Sequence, residues 1–162
     1  MPRLLAALVV ALFVSGCRAF PAARRSTFKQ AQYEPYAAEG TAKILGQAFA
    51  TTKGGDVKFA AGRTVNVNPV TEYSTEWWDR TVLGGEELLK ADSRVEPFHR
   101  STTTDAEGRF EIDNLPAGEY YVVTEVEWQY GGYDFEKSGV ILARRIQVKD
   151  GQTVKTVLEP VR

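Results

Sequence analysis

An all-β fold, an antiparallel β-sandwich of about seven strands, is what this sequence predicts, and three observations predict it. Apolar and polar residues alternate along several short runs, the two-residue period of a half-buried strand. Clusters of Gly, Asp and Pro punctuate those runs, supplying turn chemistry between strands. Strand-like and helix-like segments do not alternate, as a parallel α/β sheet would require. The chain has 162 residues, is 43% hydrophobic and 25% charged, and carries a formal net charge of −1. It therefore lacks the basic field that concentrates nucleic acid, and no nucleic-acid partner is expected. A single cysteine excludes an intrachain disulfide, so the fold must rest on its own apolar core.

The first element is a leader. Met1-Pro2-Arg3 gives a short positive start, and Leu4–Val14 is an unbroken apolar run of eleven residues. A permanent span needs roughly 17–25 such residues, so the run fits a signal-peptide core instead. Val14-Ser15-Gly16-Cys17 follows directly. It resembles the bacterial lipobox, an aliphatic residue and two small ones before an obligatory cysteine. The resemblance implies cleavage between Gly16 and Cys17, lipidation of Cys17, and residues 1–16 as a lipoprotein signal peptide. The alternative is an ordinary signal peptide with an incidental cysteine. Two or more acyl chains hold a protein stably, at about 0.8 kcal/mol per buried methylene. Arg18 stands where Asp would mark inner-membrane retention in many Gram-negative bacteria. The resemblance thus implies a membrane partner through lipid on Cys17, at the periplasmic face of the outer membrane or the cell surface.

Residues 17–40 read as the lipidated cysteine and a flexible tether. Neither apolar period appears, Pro21 and Pro35 interrupt it, and residues 18–40 hold four basic and two acidic side chains. Fully extended, it would reach roughly 70–80 Å.

The folded domain is expected over 41–162. Lys43–Ala50 is strand-like, and Thr51–Asp56 supplies a turn. Arg63–Val70 alternates Val65 and Val67 with Asn66 and Asn68, ending near Pro69. Residues 71–90 interrupt the pattern: Trp77, Trp78, Val82, Leu88 and Leu89 fall at mixed helical spacings, and Gly84-Gly85 would stop a helix. A short helical insertion, a turn or two long, is predicted there. Asp105–Gly108 and Leu115–Gly118 are tight turns around Phe110 and Ile112, with Gly118 expected in a left-handed conformation. Tyr120–Trp128 places Val122, Thr124, Val126 and Trp128 on one face. Val140–Val148 and Thr153–Leu158 complete the strands around the turn Lys149–Gln152.

Residues Thr103–Tyr120, TTDAEGRFEIDNLPAGEY, resemble the T-D-x-x-G-x-F-x-[IF]-x-x-L-P-x-G-x-Y hallmark of carboxypeptidase regulatory-like domains. The resemblance implies a transthyretin-like, Greek-key β-sandwich over roughly 41–160. It implies no activity, since such modules serve many unrelated proteins. Phe110, Leu115 and Tyr120 read as core, Gly108 and Gly118 as turns.

Chemistry is sparse. With one histidine, His99, no two-histidine zinc site can form, and any Ser–His–Asp triad must use that residue. A surface or loop position beside Pro97-Phe98 suits it better. Transthyretin-like hydrolases of a purine-derived substrate use several histidines and a terminal Tyr-Arg-Gly-Ser-like motif, unlike Leu158–Arg162 here. No metal, no cofactor and no catalytic residue are expected, and a small hydrolase is the weakest reading. Aromatic side chains remain: Trp77, Trp78, and Tyr130, Tyr133 and Phe135 in a Gly-rich loop are the candidate ligand or partner contacts. Trp77 or Trp78 could instead cap an open end of the core. The sequence therefore predicts a non-catalytic envelope lipoprotein presenting its module to a protein partner, with carbohydrate or peptidoglycan binding through aromatic loops as the alternative.

Overall fold

The computed structural model describes residues 22–130 and 136–161. The lipobox with Gly16 and Cys17, and Tyr133 and Phe135 of the Gly-rich loop, lie outside them.

The fold is all-β with one helical insertion. Its strands are β1 (Ala42–Thr51), β2 (Val57–Phe59), β3 (Thr64–Pro69), β4 (Arg100–Thr103), β5 (Arg109–Leu115), β6 (Gly118–Tyr130), β7 (Glu136–Val148) and β8 (Thr153–Pro160). They form one eight-stranded sheet ordered β2-β1-β8-β7-β6-β3-β4, with β5 also paired to β1. One edge of β1 is shared. Residues 42–47 pair with β5 and residues 49–51 with β2. The handover falls at Ala48, whose N–H donates to Gly108 O at 2.8 Å and whose carbonyl accepts from Ala60 N–H at 3.0 Å. The sheet curls so that Ile44, Phe110, Ile112 and Leu158 from one half meet Val65, Val67, Val122, Val126 and Leu142 from the other in a single core.

Among the described strands all pairings are antiparallel except one: β1 and β8 run parallel from Lys43↔Thr153 to Ala48↔Leu158. The expectation of a wholly antiparallel sheet is corrected at this place, and the sheet is mixed. The cause lies in the turn before β8. Gln152 O accepts from Lys43 N–H at 2.9 Å, and Gly151 N–H donates to Thr41 Oγ1 at 2.8 Å. The chain is thereby carried across to β1, and β8 returns to β7 only at Glu159 and Pro160.

Local irregularities have local causes. Along β5, Phe110 and Ile112 point inward, and strict alternation would bury Asn114 next. Asn114 instead takes φ 59°, and the register against β1 slips between Ala42 and Ile44, so Leu115 turns inward. Asn tolerates that left-handed backbone better than most residues. The left-handed position lies here and not at Gly118. Gly118 lacks a Cβ for another reason: one would lie 2.5 Å from the Tyr36 ring. Gly108 does take positive φ, at 72°.

The helix expected within 71–90 is α1 (Glu72–Trp77), continued by a π-helical turn over Trp78–Leu83. Thr71 and Ser74 cap it reciprocally, and Ser74 Oγ donates to Pro69 O at 2.6 Å, fastening the helix to the end of β3. Gly84 ends the turn.

The flexible-tether expectation is corrected for the described part of that segment. Phe28 and Tyr33 are buried, with Tyr33 only 2% exposed, and they form a second small core with Tyr73 and Phe98. Phe28 and Tyr33 stack at 4.9 Å, and Tyr36 meets Tyr120 edge-on at 5.4 Å. Short 3₁₀ turns at Gln30–Gln32 and Glu34–Tyr36 set these rings. Aromatic burial at irregular spacing leaves no period in the sequence, which is why the segment reads as linker.

Candidate functional site

The alternation of β3 does more than feed the core. Val65 and Val67 face inward, so Asn66 and Asn68 present their amides on the outer face. On that face α1 lies across the sheet, and the 3₁₀ turn Ser93–Phe98 approaches from the other side. Between them opens a cleft of about 320 Å³. Its walls are Asn66 and Asn68 from β3, Tyr73, Ser74 and Trp77 from α1, Val95, Glu96 and His99 from the 3₁₀ turn, and Arg25 and Tyr33 from the N-terminal segment.

Its polar groups are held in place. His99 Nε2 lies 3.1 Å from Asn66 Oδ1, an arrangement in which the ring N–H donates to the amide oxygen. Burial pushes the His99 pKa down from its ordinary 6.5, partly opposed by nearby Glu96. Burial thus favours the neutral ring. Tyr33 is raised above its ordinary value, first by burial, while its hydroxyl accepts a hydrogen bond from Thr71 Oγ1 at 3.0 Å. Arg25 lies 5.3 Å from the centre of the Tyr73 ring and donates from Nε to Leu89 O at 2.7 Å. Tyr73 in turn accepts at its hydroxyl from Asp92 N–H at 2.9 Å.

A second cleft, also about 320 Å³, shares Asn66 and Trp77 with the first. Its other walls include Arg63, Thr64, Thr81 and Glu125. Arg63 pairs with Glu127 at 2.8 Å and Glu125 at 3.6 Å. Thr81 Oγ1 is buried there without a hydrogen-bond partner. Trp77 thus stands as a common wall between two hollows. A broader hollow of about 880 Å³ elsewhere has one aromatic lining residue, Tyr36, whose ring is already packed on Gly118 and Tyr120. It offers less for recognition.

The structure separates the two tryptophans. Trp78 stacks on Tyr121 at 4.4 Å with the rings 15° apart, covering the outer face of β6. Trp77 lines both clefts. Tyr130 is the last residue of β6. Sequence reasoning missed Tyr73, Glu96, Arg25 and the role of His99, because four separate segments must meet before they form a site. The polar face of β3, with Asn66 and Asn68, was the one signal available.

Rings beside amides, a carboxylate and a neutral imidazole make a surface suited to neutral, hydroxyl-rich ligands. No family model and no curated protein sequence matches the chain. Among solved structures, it is similar to all-β proteins. One is a protein of Pseudomonas aeruginosa provisionally described as carbohydrate binding, with a TM-score of 0.75 at 22% identity, covering 83% of this chain and 99% of that one. That likeness establishes the fold. The major pilin subunit of Bacillus cereus gives a TM-score of 0.44 at 14% identity, over 76% of this chain and 30% of its own.

Proposed function

We propose that this chain is an exported, non-catalytic lipoprotein whose β-domain binds a glycan in the cleft beside Trp77. The observation that carries the reading is the convergence of Trp77, Tyr73, Asn66, Asn68 and His99 on one cleft with a second hollow beyond the same tryptophan. Sugar rings present apolar C–H faces and hydroxyl edges, which match an indole flanked by amides. The pair of hollows suits an oligosaccharide better than a single sugar. The provisional description of the Pseudomonas aeruginosa protein, which shares the fold, points the same way. We assign the cleft a binding role and give none of its residues a catalytic one. The finer fold we propose is the Greek-key, carboxypeptidase regulatory-like sandwich, on the strength of Asp105–Tyr120. Lipid on Cys17 holds the domain at the periplasmic face of the outer membrane or at the cell surface.

Titration of Trp fluorescence with an oligosaccharide panel, including peptidoglycan fragments, tests this. Saturable quenching is expected. Trp77→Ala should weaken binding at least tenfold, about 1.4 kcal/mol, whereas Trp78→Ala should lower stability and leave affinity largely intact. Equal loss from both, or no saturable ligand, would refute the reading. A protein-partner role is favoured by a different surface, where Val57 and Phe59 are 49% and 42% exposed on β2. Co-purification with an envelope complex, lost on Phe59→Ser and indifferent to Trp77→Ala, would establish that role instead.

A further inference from the structure

Ala23 forms a parallel bridge with Leu88, its N–H donating to Glu87 O at 3.0 Å and its carbonyl accepting from Leu89 N–H at 2.9 Å. Arg25 grips Leu89 O, as described above, and Arg80 donates to Arg24 O at 3.2 Å while pairing with Glu76 at 3.0 Å and Glu86 at 2.7 Å. The hook that follows the π-helical turn is thus stapled to the first described residues of the chain.

That hook carries apolar side chains in the open. Leu83 and Leu89 are each 47% exposed, whereas the other leucines among the described residues are more fully buried. Five residues lie between Cys17 and Ala23, a reach of roughly 20 Å at full extension. That is far less than the span expected of a free tether, because residues 23–36 are spent on the domain surface. On the reading that Cys17 is acylated, its lipid lies in a leaflet, and Ala23 cannot stray beyond the headgroups by more than that short reach. Leu83, Leu88 and Leu89 share the constraint.

We propose that the Leu83–Leu89 hook is a membrane-contact surface, which seats the domain on the lipid bilayer in one orientation. This inference rests on the proposed anchor. The charges near the hook balance in number, Arg24, Arg25, Arg80 and Lys90 against Glu76, Asp79, Glu86 and Glu87, and Arg80 pairs with Glu76 and Glu86. The contact is therefore apolar, inserting leucine side chains at the interface, and does not depend on anionic lipid or salt.

The test uses the full lipidated chain in vesicles of zwitterionic lipid, with nitroxide labels on Leu83→Cys, Leu89→Cys and, on the other exposed apolar surface, Val57→Cys. Acylation of Cys17 leaves each introduced thiol as the reactive one. The labels at 83 and 89 should be several-fold more accessible to oxygen than to a water-soluble nickel chelate, and the label at 57 should show the reverse. Adding anionic lipid or salt should change neither ratio. Water-like accessibility at 83 and 89, or line broadening from a second copy's label, would overturn the membrane contact while leaving the anchor standing. Intact mass of the same sample showing unmodified Cys17 would overturn the anchor and this inference with it.

Discussion

Tyr36 occupies the space where a side chain at position 118 would begin. Gly118→Ala must therefore push an aromatic ring off its seat against Tyr120, and overpacking of this kind costs about 1–3 kcal/mol. Gly151, at φ 68° with open space around it, offers the contrast: Ala there meets only the backbone penalty, about 1 kcal/mol. Denaturant midpoints of the two variants, with unchanged slopes, would separate packing from backbone conformation. His99 allows a second prediction. Burial holds its folded pKa below 6.5, so the unfolded chain binds the extra proton first as pH falls. The stability contributed by neutral His99 is complete above about pH 6.5 and declines below it. His99→Gln should remove that part of the acid dependence, seen as a flatter plot of denaturation midpoint between about pH 7.5 and about pH 5.5. Asn114 shows what could not be foreseen from residues alone. The hallmark already reads Leu115 as core, but the left-handed Asn114 and the register slip against β1 that bring it inward after Ile112 leave no mark in the residues.

At the level of elements, legibility followed length. β1, β3 and β6–β8 are long enough for the two-residue period to emerge, and the insertion was readable from its broken helical spacing. β2 and β4 span three and four residues, too short for any period, and they exist because neighbouring strands offer free edges. The N-terminal segment was misread for a related reason: its order comes from four rings meeting, not from local repetition. That order has a measurable weight. Phe28→Ala, removing a buried ring stacked on Tyr33, should cost roughly 3 kcal/mol by chemical denaturation. It should also speed protease cleavage between residues 22 and 40, which a loose spacer would not show. Cleft binding should weaken with it, since Tyr33 and Arg25 form one wall.

For the molecule as a whole, the all-β class was legible and the site largely was not. The sequence pointed first to the Gly-rich loop, most of which lies outside the described residues, and offered a core cap as the other reading of Trp77 or Trp78. Assembly of β3, α1 and the Ser93–Phe98 turn singled out Trp77 and recruited polar partners scattered from residue 25 to residue 99. The parallel pairing of β1 with β8 was equally hidden, since neither strand records in its own pattern which distant edge it will join. That pairing sets a condition on folding in the cell. The opening strand of the domain is completed only by β8, so a polypeptide still being made cannot shut its sheet until residues 153–160 are available. A nascent chain stalled short of Thr153 would display β1 with a bare hydrogen-bonding edge, an invitation to pair with its neighbours. Quality-control proteases of the cell should therefore clear such truncated products quickly, and pulse-chase of a chain ending at residue 150 would reveal it.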